Sequence, residues 1–307
     1  MVGKTAGAAD STRGVTKMGL RLKFNLVLLV VFLLGLGVTG YISYDLLHKN
    51  ARVEVLRNAG VMMEAALSMR GYTNTQIRPL IPYSEEVFHP QSVPAYSATE
   101  IMAALRKKYA EYAYKEAALN PTNPRNRAVD WETDIVGAFR SNPDRGEISG
   151  VRDTPTGPSL YLARPFQIKD KACLACHTTA AEAPPAMVKI YGSNNGFGWK
   201  HMEVIGAQIV SVPMSLPVQN ANRAFYTFMG SLSAVFVVLF VILNLMMSLL
   251  IVRPITRMSR AANEISTGNT DIPELEESGG DEVALLAKSF NRMRRSLEKA
   301  IELIDRK

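Results

Sequence analysis

Cys173-Leu174-Ala175-Cys176-His177 is the stretch from which the rest of the chain is read. It holds both cysteines of the 307 residues. A Cys-x-x-Cys pair followed directly by His is the pattern of covalent haem attachment. The chemistry sets the spacing. Each thiol adds to one vinyl group of the porphyrin, giving two thioether bonds, and the adjacent imidazole is placed to ligate the iron. The expected cofactor is one covalent haem c, held by Cys173 and Cys176 with His177 on the metal.

Other uses of such a pair are weighed against this. A structural zinc needs four nitrogen or sulfur ligands, and beyond His177 only the scattered His48, His89 and His201 remain. A thiol redox motif would sit in a βαβ pattern, which does not surround this pair. A structural disulfide and a chance match are the remaining alternatives.

The net charge of +7 raises the question of nucleic acid. The distribution answers it: Lys4, Arg13, Lys17, Arg21 and Lys23 cluster before an apolar run, opposed there only by Asp10, as in a cytoplasmic tail. No basic stripe interleaved with aromatics is present, so no nucleic acid partner is expected. Two uncharged apolar runs, at about residues 26–44 and 225–252, are each long enough to cross a hydrocarbon core of about 30 Å. A cleaved signal peptide explains the first run less well, because helical sequence continues beyond it without a small-x-small site. With the basic tail inside, and Arg253, Arg257 and Arg260 after the second run, both termini are expected in the cytoplasm of a bacterium with an inner membrane. The expected division is a cytoplasmic basic tail (1–24), a first transmembrane helix (25–46), a periplasmic domain carrying the haem (47–224), a second transmembrane helix (225–252) and a cytoplasmic segment (253–307).

The middle segment reads as mixed. Residues 52–80 have helical spacing and carry Met62, Met63, Ala66 and Met69. Ser97 and Glu100 form a capping box that predicts a helix to about Lys108. Asn120-Pro121-Thr122-Asn123-Pro124 breaks the chain, and a helix over 128–140 follows, with Trp131, Ile135 and Phe139 at core spacing. Alternating runs at 147–152, 159–168 and 203–213 predict strands. Helices against an antiparallel sheet give an α+β, PAS-like domain.

Several strings here carry a resemblance. Residues 119–127 (Leu-Asn-Pro-Thr-Asn-Pro-Arg-Asn-Arg), Trp131-Glu132, Ala163-Arg164-Pro165, the haem motif itself and Gly196-Phe197-Gly198-Trp199-Lys200 resemble the family of bacterial periplasmic PAS-like domains that bind c-type haem in membrane sensors. The resemblance covers about residues 50–215 and implies one haem per domain, with His177 as proximal ligand. It also implies a distal ligand on the long N-terminal helix, Met in some relatives and Cys in others. No cysteine is spare here, so Met69 is the expected candidate, with Met62 and Met63 behind it. Each of these Met residues is also what an amphipathic helix uses as core filler. His89 and His201 are lesser candidates. Arg70, with Tyr72 nearby, is a candidate contact to a bound diatomic or a haem propionate, and Arg164 a candidate propionate partner.

After the second apolar run, Ile255, Met258, Ala262 and Ile265 form one seam, and Val283, Leu286, Phe290, Met293, Leu297, Ala300 and Ile304 another. All steps are three or four. With Pro254, Gly268, Asp281-Glu282 and Phe290-Asn291-Arg292-Met293, the segment resembles a HAMP domain, an all-α parallel coiled coil. That likeness implies a homodimer, and neither helix can bury its seam alone. No kinase histidine segment, nucleotide-binding Gly loop or methyl-accepting hairpin is recognised, so the chain is expected not to be an enzyme. The leading expectation is a membrane sensor embedded in lipid. It passes a redox or diatomic-gas signal to a separate cytoplasmic partner such as a histidine kinase. The alternatives are a membrane-anchored electron carrier and a haem peroxidase; the second lacks a distal His-Arg pair at recognisable spacing.

Overall fold

The computed structural model describes residues 19–81, 86–269, 271–276 and 279–305. Lys4, Asp10, Arg13 and Lys17 of the basic tail, and the Ile304 side chain, lie outside what is described. Two compact units are distinguished: residues 42–226, and residues before 42 together with those after 226.

The first helix, α1, runs Leu20–Tyr72. Its apolar N-terminal part keeps its side chains exposed, whereas Ala51, Val55, Ala59, Met63 and Ala66 are buried in one stripe with steps of four and three. A π-helical turn (Thr73–Ile77) and a 3-10 turn (Arg78–Leu80) end it. The chain continues through α2 (Pro94–Arg106), β1 (Ala113–Ala118), α3 (Asp130–Ser141), β2 (Ile148–Thr154) and β3 (Gly157–Gln167). The single turn α4 (Leu174–His177), α5 (Pro185–Tyr191), β4 (Val204–Pro213) and α6 (Ser215–Met246) follow.

The four strands form one antiparallel sheet in the order β1-β4-β3-β2. The last strand in sequence is therefore internal, and β4 is buried along nearly its whole length. That suits its Val-Ile-Gly-Ala-Gln-Ile-Val run, apolar with little alternation. One sheet face presents Ala117, Ala163, Ala207 and Ile209 to Ile135, Val136 and Phe139 of α3. The other presents Leu160, Leu162, Val210 and Val212 to Val55, Ala59 and Met63 of α1. Pleat alternation assigns Tyr114, Glu116, Phe166 and Gln208 to this second face.

The strands expected in the sequence are present within a few residues, and β1 is added. Its Ala-Tyr-Lys-Glu-Ala-Ala hides a half-buried strand behind helix-forming residues. Helix α2 begins at Pro94 rather than after Ser97. Proline at the first helical position has no N–H to lose, and Ser97, inside the helix, hydrogen-bonds the Pro94 carbonyl and Thr73 Oγ1.

In the other unit the apolar part of α1 meets α6 through a stack of Phe32 on Phe236, centroids 4.8 Å apart. Both helices are long and apolar enough to cross a membrane. After a π-helical turn (Met247–Val252), α7 (Arg253–Ser266) and α8 (Glu282–Asp305) follow. Asp281 Oδ1 accepts from the Ala284 N–H at 2.8 Å and caps α8. The connector is latched by Asn291, whose amide accepts from Leu275 N–H (3.0 Å) and donates to Leu275 C=O (2.8 Å). Helix α8 thus buries Ala284, Ala287 and Asn291 within the chain and leaves Leu286, Met293 and Leu297 of its apolar seam exposed.

Candidate haem site

A cavity of about 420 Å³ lies where α1 ends over the sheet, within the size range of small-molecule pockets. Ala118, Phe166, Ile168, Phe88, Val93, Met187 and Trp199 supply much of its apolar wall. Cys173, Cys176 and His177 all line it, because a 3-10 turn (Lys171–Cys173) runs directly into the single turn α4 and sets the two thiols three residues apart on one helical face. Both cysteines are unpaired. Burial raises both thiol pKa values, and Asp170 adds to the effect at Cys173.

The His177 ring is fixed from two directions. Its Nδ1–H donates to the Gly196 carbonyl at 2.7 Å, and the ring stacks on Trp199 with centroids 3.9 Å apart. A carbonyl partner selects the Nδ1-protonated tautomer, which leaves Nε2 with its lone pair for a metal. Burial lowers the pKa of this imidazole and favours the neutral, ligating form.

The supporting loop is itself clamped. Gly196 N–H donates to Asn120 Oδ1 and Asn120 Nδ2 donates to the Phe197 carbonyl, each at 3.2 Å. Gly198 and Trp199 N–H groups return to the carbonyls of Thr178 and His177. Two strings far apart in sequence, around residues 120 and 196, thus act on one imidazole. Glu132 of α3 accepts from Lys115 Nζ (2.6 Å) and from the Val129 N–H (2.9 Å), which ties the start of α3 to β1.

Continuing the core stripe of α1, the next residue of the same series (59, 63, 66, 70) is Arg70, and it lines the cavity. Its Nη1 donates to Glu116 Oε2, and its guanidinium lies 4.8 Å from the Phe166 ring centroid. Tyr114 donates to the other oxygen of Glu116 at 2.8 Å. Asn74 and Arg78, on the following turns, also line the cavity.

These residues fit a covalent haem: two thiols, a neutral imidazole oriented by a carbonyl, apolar walls and cationic side chains share one cavity. Among the described residues no group of three or more His, Cys, Asp or Glu is arranged to hold a metal ion, so the cysteine pair has no further ligands with which to complete a zinc site.

Not every expected residue is brought here. Met69 lines a second, open hollow with Ala65, Ser68, Tyr72, Thr73 and Ile101, on another side of α1. Met63 is core, and Met62 packs beside it. Arg164 is bound to Glu64 (2.6 Å) and Glu147 (3.0 Å) and does not line the cavity. His201 hydrogen-bonds the Lys169 carbonyl, and neither it nor His89 lines the cavity. Glu116, Tyr114 and Met187 are not singled out by the sequence, and Asn120 stands there only in a chain break and a family string, without a role at the site. The Glu and Tyr lay in the strand that was not expected, and nothing in the spacing of Asn120 or Met187 marks them.

Residues 48–213 match the model of the Tll0287-like family, and residues 246–299 that of the HAMP domain. The crystal structure of the cyanobacterial heme-protein Tll0287 aligns over 52% of this chain and 95% of its own, with a TM-score of 0.42 and 15% identity. The sensor histidine kinase WalK of Bacillus subtilis (strain 168) is 27% identical over 172 residues, 56% of this chain and 26% of WalK. The chain therefore spans about a quarter of that relative's length. With its family model matched over more than half its length, the chain belongs to the Tll0287-like family of haem-binding, PAS-like sensor domains, here followed by a HAMP domain.

Proposed function

We propose that this chain is a two-pass membrane sensor carrying one haem c on Cys173 and Cys176, with the haem domain in the periplasm and both ends of the chain in the cytoplasm. The observation that carries this reading is the convergence of both thiols and the carbonyl-anchored His177 on one cavity. When bound, haem would be held by Cys173, Cys176 and His177 and would supply a redox-active iron for electron exchange or uptake of a diatomic gas.

The chain's own elements give a path for the signal. Arg70 lies in the cavity wall and on the same helix as the first apolar span. Internal strand β4 leads through Met214 into α6, the second span, and from there into α7. A coupling of about 1–3 kcal/mol between the cavity and the HAMP helices suffices for signalling. The exposed seam of Leu286, Met293 and Leu297 suits a second copy of this chain in a parallel bundle. Likeness to a sensor kinase makes a cytoplasmic kinase the fitting recipient of the signal.

The test is spectroscopy joined to crosslinking. In the full chain, reduction or addition of NO, O₂ or CO is expected to change the haem spectrum and, in parallel, the crosslinking pattern of cysteines placed in α8. A haem that responds to none of these, or a response that leaves α8 unchanged, contradicts the sensor. Wild-type function after deletion of residues 253–307 would point to an electron carrier instead.

A further inference from the structure

Residues 42–226 contain a buried charge cluster that haem attachment does not use. The Glu116 side chain is 1% exposed and that of Arg70 18%. Removing such a pair from water costs more than the attraction commonly returns, and apolar residues of similar size fill a sheet face at least as well. Under the α1 stripe this sheet face is filled that way, by Leu160, Leu162, Val210 and Val212, and Gln208, opposite Glu116, is the buried polar residue between that core and the cluster. The cluster sits where the face passes from the core into the cavity.

Its valences are unevenly used. Both Glu116 oxygens are engaged, one by Arg70 and one by the Tyr114 hydroxyl, so the carboxylate is a brace and not a ligand. A guanidinium has five N–H donors in a rigid fork. Arg70 turns Nη1 to Glu116 and sets its guanidinium carbon 4.8 Å from the Phe166 ring centroid, which holds the fork while leaving donors for the cavity it lines. Asn74 and Arg78 extend the same wall, joined by a bond from Arg78 Nη1 to Asn74 Oδ1 at 3.2 Å. Arg70 is also near enough to Cys173 for its charge to act on that thiol.

We propose that Arg70, braced by Glu116 and Tyr114 against Phe166, is the anion contact of this cavity, donating charge-assisted hydrogen bonds to a small anionic acceptor at the haem. The acceptor is either a propionate of the haem itself or a small anion bound at the iron. The inference rests on the haem reading above. Arg70 acts as a binding residue, and Glu116 and Tyr114 as positioning residues.

The experiment uses the full chain in detergent, produced with haem maturation, and begins with haem content by mass. Fluoride binding to the ferric protein is followed by absorbance, and the propionate bending bands by resonance Raman. Arg70→Leu is expected to weaken fluoride binding by about tenfold or more, the loss of one charge-assisted hydrogen bond, or to shift the propionate bands. The first result identifies a free anion as the acceptor and the second a propionate. Glu116→Gln leaves Arg70 present with an uncharged, weaker brace and is expected to fall between wild type and Arg70→Leu. Arg70→Gln, which removes the charge at similar bulk, carries the same readouts if the leucine variant does not accumulate. Haem-loaded variants of Arg70 that match wild type in both readouts overturn the proposal. Wild-type protein without haem overturns the haem reading instead.

Discussion

A Cβ on Gly196 would lie 2.1 Å from Thr122 Oγ1 and 2.7 Å from Thr122 Cα, at a φ of +83°. Gly196→Ala must therefore displace the loop whose carbonyl holds His177. The expected result is a shifted Soret band and midpoint potential at unchanged haem content. Gly198 also has a positive φ, +79°, but nothing within 4 Å of its Cβ position. Gly198→Ala serves as the control for backbone strain without a clash, and an equal shift in both would contradict the role of the close approach. Tyr114 allows a pH test. Burial, then the neighbouring Glu116 charge, raises its pKa far above the ordinary value of about 10. A raised folded pKa means that the native state holds the proton where the unfolded chain releases it. Its contribution to stability is complete below pH ~10 and declines above it. Tyr114→Phe is expected to remove no amplitude from the tyrosinate transition of the folded protein near pH ~10. A loss of one tyrosine's absorbance there would contradict its burial beside Glu116.

Helix α1 shows what is legible at the scale of an element and what is not. Its length, its apolar start and its methionines are visible in the sequence. Which side chain reaches the cavity depends on rotation: the stripe Val55, Ala59, Met63, Ala66 leads to Arg70, and Met69, one residue earlier, turns to a different hollow. A one-residue offset on a helix is about 100°, and only the packed partner fixes it. The Cys-x-x-Cys-His motif stands out in the sequence because the attachment chemistry proposed for it is local, within five residues. The brace on its histidine joins residues some seventy positions apart, through a side chain with no periodic signal. Strand β1 was hidden because its residues favour a helix and only its place beside β4 makes it a strand. Met63→Ala is expected to cost about 2–5 kcal/mol by opening a cavity between α1 and the sheet, read as a lowered unfolding midpoint of the full chain in detergent. A change under ~1 kcal/mol would mean that the α1 stripe is not core. In the HAMP segment, Asn291→Ala removes both bonds to Leu275, and faster amide exchange at Leu275 is the expected readout. Unchanged protection there would contradict the latch.

For the whole molecule, the two apolar helices, the sheet domain between them in sequence and the HAMP helices define a chain in which each part has a separable task. A reporter active only outside the cytoplasm is expected to be active when fused between residues 47 and 213 and inactive when fused after residue 260, and a reporter active only in the cytoplasm is expected to give the opposite pattern. The reverse of both results would remove the compartment in which c-type haem is attached in the proposed function. A cysteine at Met293, exposed on the α8 seam, is expected to crosslink two copies, whereas one at Ser296, off the seam, is not. Equal crosslinking at both would contradict the parallel bundle.

The intact mass of the denatured polypeptide, expressed with c-type maturation machinery, tests the account most directly. It is expected to exceed that of the bare chain by one haem, and to return to the bare value in Cys173→Ser/Cys176→Ser. A wild-type chain at its bare mass, or a double variant that still carries the added haem, would contradict it.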